Sequence, residues 1–160
     1  MKRAFTVSMV LLALGLSGHV AAQTGTTTTT TLQLSGVVSA RCGLTVQATP
    51  AASMLNLSEG ETGMVVGQVT ESCNSPAGYS VVLTSQNNGE LRATAAGATP
   101  LAYSIRYDTV SGPLTQALEA PRQPTGGVQR VADMAINIPA NARAIPGTYS
   151  DIITLSIRVN

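Results

Sequence analysis

Apolar residues recur at every second position in short runs along this chain; the clearest run is Leu101, Tyr103, Ile105 and Tyr107, interleaved with Ala102, Ser104 and Arg106. A two-residue period puts alternate side chains on opposite faces of an extended strand, one face buried and one wet. The same alternation appears at Tyr79, Val81 and Leu83, at Leu44 and Val46, and at Ile153, Leu155, Ile157 and Val159. Met64 to Ser72 and Ala132 to Ile138 are rich enough in β-branched and apolar residues to extend the series. Glycine and proline punctuate these runs, and no helical period emerges after the first 22 residues. The pattern predicts an all-β chain, folded as an antiparallel β-sandwich.

Residues 30–41, where the threonines run into Leu32, Leu34, Gly36 and Val38 on alternate positions, read as a further strand. Asn87-Asn88-Gly89 supplies the residues that accept positive φ in a tight hairpin, with Leu91 and Arg92 opening the return strand. Between Asp108 and Arg130 the density of Gly and Pro predicts a long connection with at most a small strand inside it.

The start of the chain reads as an export signal. Met1-Lys2-Arg3 precedes an apolar run from Val7 to Leu16, and Val20-Ala21-Ala22 places small residues where a signal peptidase cuts. That run is too short to cross roughly 30 Å of hydrocarbon. Cleavage after Ala22 leaves 138 of the 160 residues, enough for one domain with a real core. The expected division is a signal peptide over 1–22, a Thr-rich arm over 23–33 and a sandwich domain over 34–160. Cys42 and Cys73 remain, and in an oxidising compartment an even pair points to a disulfide, with two buried free thiols as the alternative.

Loss of the signal removes the one histidine, the one phenylalanine and the one lysine, and the chain has no tryptophan. Without histidine or lysine there is no Ser-His-Asp set, no His-containing zinc site and no lysine nucleophile. Glu59 and Glu61 form the closest carboxylate pair, but the glycine between them marks a solvated turn rather than acid-base machinery. Seven arginines stand against eight acids, spaced singly, so no basic patch serves nucleic acid. The sequon Asn56-Leu57-Ser58 reads as structural. Tyr79, Tyr103, Tyr107 and Tyr149 read as core residues whose hydroxyls reach the sandwich edge, not as a sugar-stacking platform. The expectation is a protein with no enzymatic activity, cofactor, metal or small-molecule substrate.

Three stretches carry a resemblance that spans most of the mature chain. They are Leu34-Ser35-Gly36-Val37-Val38-Ser39-Ala40-Arg41-Cys42, then Cys73 followed by Gly78-Tyr79-Ser80-Val81-Val82-Leu83 and the Asn-Asn-Gly turn, and lastly Pro146-Gly147-Thr148-Tyr149-Ser150-Asp151 leading into Ile152-Ile153-Thr154-Leu155-Ser156-Ile157. Together they resemble the spore coat U domain and the related subunits of chaperone-usher pili.

The resemblance implies an immunoglobulin-like sandwich lacking its last strand. Such a domain is kept soluble by a periplasmic chaperone, passed to an outer-membrane usher, and completed in a surface fibre by the N-terminal arm of another pilin subunit. On that basis the donor residues would be Thr26, Thr28, Thr30, Leu32 and Leu34. The chaperone would hold the final strand through Ile153, Leu155, Ile157, Val159 and Asn160. The fibre would support adhesion or biofilm at the cell surface. The sequence departs from the pattern in two places: threonine offers only a methyl where donor strands carry large apolar side chains, and Arg158-Val159-Asn160 lacks the aromatic found near the end of many pilins. The competing reading is a self-complemented secreted or periplasmic sandwich in which Leu32 to Val38 pairs within its own domain.

Overall fold

The computed structural model describes residues 25–160; the expected signal peptide, 1–22, lies outside the described residues. Residues up to Gly36 and residues Val37–Asn160 form separate units. In the first, residues 25–36 are exposed and carry no strand. In the second, every strand pair is antiparallel. Among the described residues there is no α-helix, and one 3-10 turn covers Pro50–Ser53.

The strands are β1 (Cys42–Ala48), β2 (Glu61–Cys73), β3 (Tyr79–Ser85), β4 (Glu90–Ala93), β5 (Leu101–Ala102), β6 (Ser104–Tyr107), β7 (Val110–Pro113), β8 (Leu118–Arg122), β9 (Arg130–Ile138), β10 (Tyr149–Ser150) and β11 (Ile153–Val159). One layer is the sheet β1-β2-β9-β6-β7; the other is β11-β3-β8, continued by β10-β4-β5. The alternation that marks these runs in the sequence is also what packs them. Val69, Val81, Leu83, Ile105, Tyr79 and Tyr107 are fully buried between the layers, which is the architecture of an immunoglobulin-like β-sandwich.

Three expectations are corrected. Residues 30–41 form no strand, and the first begins at Cys42. An extended β-branched run favours the strand conformation but gains ladder hydrogen bonds only when a partner edge lies beside it. Asn88 and Gly89 do take positive φ, at 55° and 79°, yet they do not close a hairpin. Ser85 pairs with Ile153 and Arg92 with Ser150, so six residues on one side face two on the other and the surplus is pushed out as a bulge. The 108–130 connection holds two strands, β7 and β8, which form one edge of each layer.

Gly60 shows why a turn residue is fixed. Its φ is +81°, and a Cβ there would sit 2.6 Å from the Ile138 carbonyl oxygen and 2.7 Å from the Ala140 nitrogen. Only glycine lets the chain enter β2 so close to the end of β9.

Candidate functional site

The two layers approach each other at both of their sides. On one side β7 and β8 are joined by a short connection from Leu114 to Ala117, and Leu114 is buried there. On the other side lie β1 and β11, each the last strand of its sheet. Each therefore presents a row of backbone N–H and C=O groups that, among the described residues, has no neighbouring strand.

At one end of this side, where the last residues of β1 face the first of β11, lies an apolar cleft of about 180 Å³, lined among others by Val46, Ala48, Leu55, Met134, Ile136 and Ile153. Sequence period explains the lining. In β1 the inward set is Leu44, Val46 and Ala48; in β11 it is Ile153, Leu155, Ile157 and Val159, while Thr154, Ser156 and Arg158 face water. Leu44, Ile153, Leu155 and Ile157 touch the core but stay only half-buried. Val46 and Val159, which belong to the inward sets, remain 46% and 48% exposed. These inward side chains are only partly covered on this side, although β1 and β11 approach within 8 Å, Cα to Cα, where they are nearest.

A polar hub closes one end of the cleft. Asp151 Oδ2 accepts hydrogen bonds from the Ser85 hydroxyl and the Tyr103 hydroxyl, both at 2.5 Å. Its Oδ1 accepts from the backbone N–H of Asn87 at 3.0 Å and of Ile152 at 2.7 Å. Ser85 Oγ in turn accepts from the N–H of Gly89 at 2.7 Å, so the hub ties down the Asn87-Asn88-Gly89 bulge. Burial pushes the Asp151 carboxyl up, but the hydrogen bonds from Ser85, Tyr103, Ile152 and Asn87 outweigh it and hold the pKa below the ordinary carboxylate value. Burial and the bond to Asp151 push Tyr103 well above the usual phenol range. The hub is thus a carboxylate fed by a phenol that stays protonated, a rigid fixture rather than a proton relay.

The remaining expected positions fall as follows. Cys42 and Cys73 are joined by a disulfide between register partners, with Cα atoms 4.1 Å apart, which pins the start of β1 to the end of β2. Thr26, Thr28 and Thr30 are exposed, as are Leu32 and Leu34 at 84% each. Ile153, Leu155, Ile157 and Val159 sit on the open edge, and Asn160 follows it, its N–H donating to the Gly78 carbonyl at 3.4 Å. Tyr149 hydrogen-bonds the Ile145 carbonyl at 3.0 Å, whereas Tyr79 and Tyr107 bury their hydroxyls inside the sandwich instead of at its edge.

One cluster escaped the sequence reading. Glu71 is fully buried, and its Oε1 accepts from Arg122 Nε at 2.7 Å across the two layers. Arg130 Nε lies 3.3 Å from the same oxygen, and Asp108 Oδ2 meets Arg130 Nη2 at 2.5 Å and Arg122 Nη1 at 3.2 Å. Arg122 also lies 5.3 Å over the Tyr107 ring, and burial, then the Glu71 charge, push the Tyr107 phenol up to about 12. The signal was present: Glu71 is in phase with Val69 and Cys73, and Arg122 with Ala120, so the two-residue period alone turns both inward. Glu71 and Arg122 are sealed within the sandwich, and Asp108 and Arg130 carry the network out to the surface, which makes it a structural tie. Among the described residues no group of three or more His, Cys, Asp or Glu side chains is placed to hold a metal ion.

No family model matches the chain, and no curated protein is similar to it. Among solved structures the chain is similar to the crystal structure of the E. coli Hda pilus minor tip subunit, HdaB, at 16% identity with a TM-score of 0.40, covering 72% of this chain and 79% of that one.

Proposed function

We propose that this protein is a non-enzymatic structural subunit of a surface fibre, polymerised by strand donation: the N-terminal arm of one copy enters the β1/β11 cleft of the next. The observation that carries the proposal is the open cleft itself, apolar within and flanked by two unpaired strand edges. A strand laid between β1 and β11 gives both edges a hydrogen-bonding partner and covers the half-exposed inward side chains, the physics of β-augmentation; to admit it the two strands, which approach within 8 Å, part to about 9.5 Å.

The arm supplies a matching surface. Leu32, Leu34, Val37 and Val38 are exposed at 84%, 84%, 94% and 89%, an unpartnered apolar set immediately ahead of β1. β1 and β11 are seven residues each, and Leu32 to Val38 is a stretch of the same length whose alternate positions are Leu32, Leu34, Gly36 and Val38. The donor thus shifts from the threonines toward this stretch. A buried Leu or Val side chain contributes roughly 1.5–3 kcal/mol, while threonine brings one methyl and a hydroxyl that needs a partner. An open edge with an apolar cleft is prone to aggregate, which supports escort by a periplasmic chaperone that covers β11 and delivery to an outer-membrane usher. Export by the N-terminal signal and a role in adhesion or biofilm complete the proposal.

The test is to express the chain in a periplasm with and without residues 23–38 and compare unheated gels and electron micrographs. Heat-labile ladders or fibres from the full chain, and their loss on deletion, are the expected result. Equally soluble monomers from both would overturn the proposal in favour of a self-complemented sandwich.

A further inference from the structure

We propose that Asn74 is a positioning residue that commits the arm to a second copy of the chain and keeps it out of its own cleft; the inference rests on the strand-donation reading above. The last register pair of β1 and β2 is Cys42 with Cys73. Asn74 is the next residue, and it prolongs the ladder with its side chain. Its backbone N–H donates to the Arg41 carbonyl at 3.1 Å. Its Oδ1 accepts from the Arg41 N–H at 2.6 Å, and its Nδ2 donates to the Ser39 carbonyl at 3.1 Å. A carboxamide carries both an acceptor and a donor, as a peptide group of a neighbouring strand does, so it can hold a backbone that has run past the end of its partner strand.

The consequence is directional. Ser39 to Arg41 are held on the β2 side of β1, whereas the cleft opens on its other side. For Leu32–Val38 to enter the cleft of its own domain, the chain must reverse just before Cys42. The residues that would form that reversal are the ones whose backbone groups Asn74 occupies. Moving the turn outward does not help, because Val37 and Val38 are β-branched and resist the positive φ that tight hairpin turns demand. A turn at Gly36 would consume the apolar stretch itself. A second copy imposes no such reversal.

Two variants of the full chain test this in the periplasmic ladder assay. Asn74→Ala removes both side-chain bonds of the clamp. Inserting a flexible Gly-Ser-Gly-Ser-Gly-Ser stretch between Val38 and Ser39 leaves Asn74 untouched but gives the arm enough slack to fold back, at a point where both flanking residues are exposed. Both are expected to move chain from ladder to monomer, Asn74→Ala by roughly fivefold or more, at least the scale of one lost hydrogen bond in such a balance. Those monomers should resist thermolysin at Leu32 and Leu34, because the arm is now seated in its own cleft. Wild-type ladders with undiminished ladders from the insertion variant overturn the inference while leaving strand donation intact. Monomers whose arm is cut as readily as a free peptide overturn it too. Absence of ladders from the wild type overturns both. Undiminished ladders from a folded Asn74→Ala chain overturn the role of Asn74; should that variant fail to fold, Asn74→Asp, which keeps the acceptor and loses the donor to the Ser39 carbonyl, takes its place.

Discussion

Glu71 has a side chain fully shut off from water and is paired with Arg122, whose side chain is 6% exposed. Removing one member of such a pair strands the other charge in the interior, which typically costs about 3–5 kcal/mol. Glu71→Ala is therefore expected to lower the thermal midpoint by roughly 10–20 °C for a domain of this size. Replacing both Glu71 and Arg122 by Met should recover most of that loss, since neither charge is then left alone. Thermal unfolding followed by circular dichroism checks both, and a double variant as damaged as the single would refute the pairing argument. Asp151 makes a separate case. Its folded pKa lies below its ordinary value, so its contribution is complete above the unfolded carboxylate range, near pH 4. The contribution drains away as the pH falls through the folded value. The stability gap between wild type and Asp151→Asn, measured in denaturant, is expected to be widest near pH 6 and to narrow toward pH 2. A gap constant with pH would mean that the carboxylate charge contributes nothing to holding the bulge.

At the scale of elements, the strands were legible because a two-residue period is local and the core reads it directly, as at Leu101 to Tyr107. Partnership was not. Asn88 and Gly89 have the positive φ that their residue types announce, but whether such a turn closes a hairpin or a bulge depends on which strand lies alongside, and that strand, β11, is some 65 residues away in sequence. The arm was misread as a strand for the same reason: Thr and Val state a preference that only a partner can realise. The cleft was half legible, in the alternation of β1 and β11, while their places at two sheet edges are a property of topology alone. Val46 tests the cleft as an element. It is exposed enough, at 46%, that Val46→Asp should change the stability of the lone domain by no more than about 1 kcal/mol. A strand seated in the cleft would bury that carboxylate without a partner, at a cost of several kcal/mol. The expected outcome is a folded chain, with normal circular dichroism, that forms no ladder. Normal ladders would show that the occupant does not pass over β1.

For the whole molecule, if the arm of a second copy seats at the β1/β11 side, stability depends on that partner. At β1/β11 the inward residues Val46 and Val159 stay about half exposed, so the domain alone leaves unused some of the burial that its own inward residues could provide. A seven-residue strand reaches roughly 23 Å at about 3.3 Å per residue, and each edge strand has that length. Ligand linkage gives the size of the effect: an occupant present at a hundred times its dissociation constant stabilises by about 2.7 kcal/mol. In the chain lacking residues 23–38, a synthetic peptide spanning Leu32–Val38 with short flanks should therefore raise the midpoint by roughly 6–15 °C at saturating concentration. A peptide spanning Thr26 to Leu32 should do far less, because its alternate positions bring methyl groups where the cleft offers room for Leu and Val. Equal shifts from the two peptides would return the donor role to the threonines, and no shift from either would mean that a strand is not what closes this sandwich.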